Sequence, residues 1–454
     1  MMKRKAMAIT LTAAMLAGLT AVPTWAEDAA ADEGKVLNIY CWNEEFKSRL
    51  TDHYPGYEEV DGTHGKIGDV DVVWNITPSD DNAYQNNLDE TLLKQADAAA
   101  DDKIDLFLVE ADYALKYVNT DYTMSVADLG ITDEEVADQY QYTKDIVTDS
   151  KGVQKGTTWQ ATPGLFAYRR SIAKDVLGTD DPDAVQAQLS SWDKFNAVAE
   201  KASEKGYKML SGYDDAYRVF SNNVSAPWVD SNNKIVIDDN IMKWVDQTKT
   251  FTDKGYNNKT SLWDTTWASD QGPKGKVFGF FYSTWGINFT LLGNSLEKPV
   301  AEGGKEEVGN GIYGDYAVCQ GPQSYYWGGT WICAAAGTDN PNLIKEIMKT
   351  LTCDKTTEVQ ITKDTQDYTN TISGMNELAN SDFKSDFLGG QNHIKLFAQA
   401  APKINMKNIS AYDQGLNEEF QKAMKDYFDG HVTKEQALDN FYEKAHVKYP
   451  NLSK

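Results

Sequence analysis

The chain has 454 residues, with 44 Lys and Arg against 68 Asp and Glu, giving a formal net charge of −24. That length exceeds one ordinary core and predicts two domains or one large two-lobed fold. The acidic excess, with no run of Lys and Arg, excludes a general nucleic-acid binder, because phosphate is repelled where no basic patch attracts it. Hydrophobic residues at 41% and charged residues at 25% are a globular balance rather than a disordered one. The unusual feature is aromatic: 12 Trp and 24 Tyr are more large amphipathic rings than packing alone requires.

Met1-Met2-Lys3-Arg4-Lys5 is a basic start, Ala6 to Val22 an uncharged and mostly apolar run, and Pro23-Thr24-Trp25-Ala26 a small-residue cleavage site before Glu27. Residues 1–26 therefore read as a secretory signal peptide, and 27–34 as an acidic, Ala-rich linker. No other segment offers the roughly 18 continuous apolar residues of a membrane helix. Val36 to Tyr40 reads as a buried strand ending at Cys41-Trp42-Asn43, followed by a helix from Glu44 to Tyr54. Val70 to Trp74 is a second strand, and Asn87 to Ala100 a helix with Leu88, Leu92, Leu93 and Ala96 on one face. Ile104 to Val109 is a third strand, with Glu110-Ala111-Asp112-Tyr113 opening the next helix. Strand–helix alternation predicts an open α/β sheet, whose ligands bind at the carboxyl ends of its strands. That rule places Trp42, Asn43, Glu110 and Asp112 on the ligand side.

A second α/β unit begins near Trp159. Its predicted elements are a strand from Gly164 to Tyr168 and a helix from Trp192 to Glu204, capped by Ser191 and stopped by Gly206. A further strand, Lys276 to Phe281, leads to Tyr282-Ser283-Thr284-Trp285. Tyr316 to Val318 and Trp331 to Ala336 flank the loop Gln320 to Thr330; a helix follows Asn340-Pro341 to Leu351, and the tail from Glu377 to His446 is mostly helical. Cys319 and Cys333 flank that loop, so a bridge across its base and a pair of free, buried thiols both fit. The five His are scattered, and no metal-ligand spacing occurs, so no metal and no cofactor are expected.

Trp42, Trp159, Trp228, Trp263, Trp267, Trp285, Trp327 and Trp331 all fall in Gly, Asn, Asp or Ser-rich surroundings rather than at core spacing. The C–H faces of a sugar stack on such rings, and its hydroxyls need Asp, Asn, Gln, Glu or Arg at the edge. Ring and polar group occur together at Trp42-Asn43-Glu44, Glu110-Ala111-Asp112-Tyr113, Trp159-Gln160 and Tyr213-Asp214-Asp215. Trp74, Trp192 and Trp244 are assigned to packing. Trp327-Gly328-Gly329-Thr330-Trp331 is the most distinctive segment, either a close backbone approach to a ligand or a tight hairpin with aromatic flanks. The Trp263-x-x-x-Trp267 pair suits one face of a short helix, as core or as ligand platform. No His-based triad, nucleophile elbow or phosphate loop is present.

Together the signal peptide, Leu37-Asn38-Ile39-Tyr40-Cys41-Trp42-Asn43, Asp105 to Tyr113, Ser191-Trp192-Asp193-Lys194-Phe195, Tyr282-Ser283-Thr284-Trp285-Gly286 and Tyr326 to Trp331 resemble the extracellular solute-binding proteins of ABC sugar transporters, the maltose-binding-like family 1 group. The resemblance covers essentially the whole mature chain. It implies an α/β, two-lobed periplasmic-binding-protein fold (type II), with a hinge of three crossovers between the lobes. The expected division is 35–158 plus 322–352 as lobe 1 and 159–321 plus 353–454 as lobe 2. The implied function is capture of a mono- or oligosaccharide between the lobes and its delivery to membrane permease subunits, by a monomer exported to the periplasm or cell surface. The expected ligand contacts are Trp42, Asn43, Asp112, Trp159, Trp228, Trp285, Trp327 and Tyr412, with no catalytic residue and no metal. The absence of a Cys directly after the signal departs from members tethered by lipid. The alternative is a secreted glycoside hydrolase, with two carboxylates across a cleft.

Overall fold

The run Val36-Leu37-Asn38-Ile39-Tyr40-Cys41 forms β1 (Val36–Cys41) in the computed structural model, which describes residues 34–454. The predicted signal peptide and residues 27–33 of the linker lie outside the described residues. Leu37, Ile39 and Cys41 are fully buried, as befits a central parallel strand covered on both faces. β1 pairs in parallel with β4 (Val70–Ile76) and with β5 (Leu106–Glu110). A hairpin of β2 (Tyr57–Glu59) and β3 (His64–Ile67) extends the sheet past β4, and β9 (Thr330–Ala334) pairs antiparallel to β5. The strand order is β2-β3-β4-β1-β5-β9. Helices Glu45–His53 and Pro341–Thr352 pack on it through Phe46, Leu50, Ile344, Ile347, Met348 and Leu351.

The helix expected from Asn87 to Ala100 instead spans Ala83–Leu92, followed only by the 3-10 turns Gln95–Asp97 and Ala100–Asp102. Gln95 turns inward, donating to the Ile104 carbonyl at 2.7 Å and accepting from the Ile104 amide at 2.9 Å. A polar side chain that satisfies backbone groups ahead of it competes with helix continuation.

The second sheet is small and fully antiparallel, with β6 (Gly164–Arg169) between β7 (Gly279–Ser283) and β8 (Tyr316–Cys319). β7 starts three residues later than the sequence suggests. Gly279 marks the reason: a Cβ there would lie 2.5 Å from the Ala167 carbonyl oxygen, so only glycine lets the strands close. Helix Trp192–Glu204 follows its cap signals, with Ser191 Oγ accepting from the Lys194 amide at 3.3 Å and Gly206 at φ 80°. The tail carries helices His393–Ala400, Asp413–Phe428 and Lys434–Lys448, the last opened by a Thr433–Gln436 capping box.

Of the described residues, 34–161, 329–364 and 369–374 form one compact unit, and 162–328, 365–368 and 375–454 a second. Cys319 lies in β8 of the second unit and Cys333 in β9 of the first, so the loop between them is not a hairpin base. All four thiols are free, and the bridge that the spacing allows does not form. Among the described residues no helix is long and apolar enough to cross a membrane.

Candidate functional site

In the first unit, β1 and β5 are parallel neighbours, so their carboxyl ends deliver Trp42 and Asp112 to the same end of the sheet. The Trp42 ring is partly exposed and is held edge-on by Tyr84 at 5.4 Å and Tyr113 at 6.4 Å. Tyr84 is itself fixed, its hydroxyl reaching the carbonyls of Leu108 at 2.6 Å and Tyr40 at 3.1 Å. Burial pushes the Tyr84 hydroxyl far above its usual pKa, so it stays a neutral donor. Asp112 is partly exposed, and its amide donates to Glu110 Oε2 at 2.7 Å. Asn43 Oδ1 accepts from the Glu45 amide at 3.0 Å, a local turn that starts the helix Glu45–His53.

In the second unit, β7 ends at Ser283 and hands on to Trp285, whose ring is partly exposed. The following turns run Thr284–Gly286 and then a π-helix, Ile287–Leu292, a rare form frequent at functional sites. Trp285 Nε1 donates to the Trp327 carbonyl at 3.0 Å, which fixes the ring. Trp263 stacks beside it at 6.2 Å and 15°, and Phe289 meets its edge at 6.4 Å. Beneath them lie Trp327, 5.5 Å from Trp285, and Trp267, 5.3 Å from Trp263. Exposure rises through the group, from 1% at Trp267 and 6% at Trp327 to 58% at Trp263 and 74% at Phe289. Two large rings so exposed, resting on buried ones, make this aromatic group the candidate binding face of the second unit.

The spacing of Trp263 and Trp267 predicts one helical face, and the structure differs. The helix starts only at Thr265, and Trp263 sits before it at φ 72°, a left-handed conformation that costs a bulky residue roughly 1–3 kcal/mol. The segment after Trp327 is not a hairpin. Gly328 and Gly329, at φ 65° and 108°, carry the chain from one unit into the other.

The remaining expected contacts lie elsewhere. Trp159 is fully buried and stacks on Phe46 at 5.5 Å and 22° in the core of the first unit. Its neighbour Gln160 donates to Glu45 Oε1 at 2.8 Å and accepts from the Thr330 amide at 3.0 Å, joining helix to strand. Trp228 is 6% exposed, packed by Phe420 and Phe441, with Nε1 donating to Asn417 Oδ1 at 2.9 Å. Tyr412 stands at the start of helix Asp413–Phe428 against Tyr449, its hydroxyl accepting from Asn451 at 3.1 Å. Trp331 is fully buried, its Nε1 donating to the Thr143 carbonyl at 2.8 Å. Tryptophans in Gly and Asp-rich sequence are therefore not all surface rings, since a strand end folded under a loop looks the same in sequence as one left open. Among the described residues no group of three His, Cys, Asp or Glu is placed to hold a metal ion.

The family model described as bacterial extracellular solute-binding protein matches residues 62–387. No curated protein sequence matches the chain. Among solved structures, an extracellular solute-binding protein family 1 member is 15% identical, with TM-score 0.72, covering 91% of this chain and 99% of its own. The GacH receptor of Streptomyces glaucescens, solved unliganded and with acarbose, is 15% identical with TM-score 0.64, covering 93% and 100%. The ABC transporter associated binding protein of B. animalis subsp. lactis, bound to β-1,6-galactobiose, is 14% identical with TM-score 0.65, covering 92% and 97%. These likenesses place the chain in the two-lobed α/β fold of such binding proteins.

Proposed function

The chain belongs to the bacterial extracellular solute-binding protein family, and we propose that its solute is a carbohydrate delivered to the permease subunits of an ABC transporter. One observation carries this reading: the open face of Trp263, Trp285 and Phe289, backed by buried Trp327 and Trp267. Such a face offers apolar area to the C–H side of a sugar ring. In the first unit, Trp42 after β1 and Asp112 after β5 supply a second ring and a hydroxyl acceptor at the same end of the sheet. Carbohydrates bound by structural relatives at low identity support the same ligand class. We assign the contacts to Trp42, Asp112, Trp263, Trp285 and Phe289. Trp327 acts from beneath, Asn43 acts through the turn it makes, and Trp159, Trp228 and Tyr412 are left out. The protein works as an exported monomer in the periplasm or at the cell surface, and makes and breaks no bond.

A thermal-shift screen with maltose, lactose, β-1,6-galactobiose, single amino acids and spermidine tests the ligand class. A ligand at 100 times its Kd adds about 2.7 kcal/mol to the folded state, and at least one sugar is expected to do so. Stabilisation by amino acids or spermidine alone sinks the reading. Release of new reducing ends from any of the sugars would restore the glycosidase alternative.

A further inference from the structure

The turn Tyr213-Asp214-Asp215 sends two carboxylates under the segment that carries Trp263 and Trp267. Asp214 accepts from the Leu262 amide with both oxygens, at 3.1 and 3.3 Å, fixing the peptide that leads into Trp263. Asp215 is buried; its Oδ1 accepts from Trp267 Nε1 at 2.8 Å and its Oδ2 from the Gly212 amide at 2.6 Å. The two chain segments also pair directly, Tyr213 N donating to the Thr260 carbonyl at 3.1 Å. Lys425 Nζ donates to Ser261 Oγ at 3.1 Å from the helix Asp413–Phe428. Trp263 is thus a large side chain in a left-handed backbone, kept there by bonds on either side of it. Both carboxylates, Asp215 buried and Asp214 partly exposed, are spent on amide and indole N–H groups of this segment and its turn.

We propose that Asp214 and Asp215 are positioning residues for the aromatic face, holding the 262–267 segment so that the Trp263 ring stays over Trp285. The effect on affinity rests on the carbohydrate reading above; the effect on Trp263 does not. An ionised carboxylate is the stronger acceptor, so the hold on Leu262 weakens when Asp214 gains a proton. Burial and the neighbouring Asp215 push Asp214 up to about 7, against the Leu262 amide and Lys425, which lower it. Asp215 is pushed up to about 6 by burial, with Asp270 of the next helix acting in the same sense. Tyr213, whose hydroxyl bonds Asp429, and Tyr282 of β7 stay neutral across this range. Asp214 therefore changes charge near neutrality, and the order of Trp263 changes with it.

The test uses the full mature protein with 5-fluorotryptophan for 19F NMR and a 15N label for the Leu262 amide, titrated from about pH 5 to about pH 8.5 without sugar. Trp263→Phe assigns the Trp263 resonance. The Leu262 amide and the Trp263 fluorine are expected to move together, with a midpoint near neutrality. Asp214→Asn, neutral at every pH and left with one acceptor oxygen, is expected to abolish the titration and to hold the Leu262 amide and the Trp263 fluorine at the positions the wild type reaches at low pH. Asp214→Ala is expected to shift and broaden the Trp263 signal and to weaken binding of the stabilising disaccharide about ten-fold, the worth of one charge-assisted bond. An unmoved Leu262 amide and an unmoved Trp263 signal in folded Asp214→Ala overturn the inference. If Asp214→Ala does not fold, Asp214→Asn decides: Leu262 and Trp263 signals unchanged from those of the wild type at high pH overturn the inference. If Trp263→Ala leaves disaccharide affinity unchanged while the Leu262 titration stands, the role assigned to Trp263 in sugar binding falls and the positioning role remains.

Discussion

Trp285 and Trp159 read alike in sequence, yet one is partly open at the end of β7 and the other is sealed in a core. Their substitutions separate accordingly. Trp285→Ala is expected to weaken sugar binding more than about ten-fold while leaving the melting temperature within a few degrees, since a partly exposed ring at the surface of the unit contributes less than a core ring. Calorimetry and thermal unfolding check both halves. Trp159→Ala removes a fully buried ring stacked on Phe46 and is expected to cost roughly 3–5 kcal/mol in urea unfolding. The polar neighbours of each Trp suggest a ligand edge, but Gln160 spends its amide joining Glu45 to Thr330. Trp263 is the reverse case: its spacing to Trp267 reads as helix, and only the left-handed backbone exposes the ring. Nothing in the local sequence announces a positive φ at a Trp, because the residues that impose it lie about 50 positions earlier, at Asp214 and Asp215.

Elements with strong local signals are found where the sequence places them. The Ser191 cap and the Gly206 stop bound the helix Trp192–Glu204, and Ser191→Ala is expected to cost about 1 kcal/mol in chemical denaturation. β1, β5 and β6 are visible in sequence because each is a short apolar run between turn residues. The hairpin β2–β3 is not, since a polar strand at a sheet edge carries no alternation to read. The start of β7 is set by its fit against β6 rather than by its own residues. Gly279→Ala drives a methyl into the Ala167 carbonyl and the Phe166 ring, and is expected to reduce the yield of soluble folded protein and, because β7 carries Trp285 at its end, to weaken sugar binding as well. Recovery of a stable Gly279→Ala protein with an unchanged circular dichroism melt would refute this account of the strand register.

At the scale of the whole molecule, buried carboxylates set the pH dependence of stability. Burial raises Asp105 to about 6, Asp214 to about 7 and Asp215 to about 6, and raises Glu358 well above its usual value. A raised folded-state pKa means that the folded chain holds protons the unfolded chain has lost. The stability this confers is present below about pH 4 and is lost as pH climbs through 6 and 7. His393 acts oppositely: burial lowers it to about 4, so its contribution is present above about pH 6.5 and lost as pH falls towards 4. Asp89 is raised and His53 lowered by burial as well, so five carboxylates outweigh two imidazoles, and the melting temperature is expected to fall between about pH 5 and about pH 7.5. Asp214→Asn flattens part of that slope in differential scanning calorimetry; a slope of opposite sign contradicts the assignment.

By itself the sequence determined the family and the α/β class, and it pointed to aromatic rings for the proposed ligand surface. Hydrophobic periodicity, strand-end residues and ordered motifs are properties of short segments and survive in a linear reading. The tertiary structure decided which rings are open. Exposure depends on what folds over a side chain from far away, as Phe46 does for Trp159 and Phe420 and Phe441 do for Trp228. It also decided how Trp263 is held, because two carboxylates and an amide meet there only once the chain has closed on itself. Composition counted the tryptophans; burial sorted them into a core and a face.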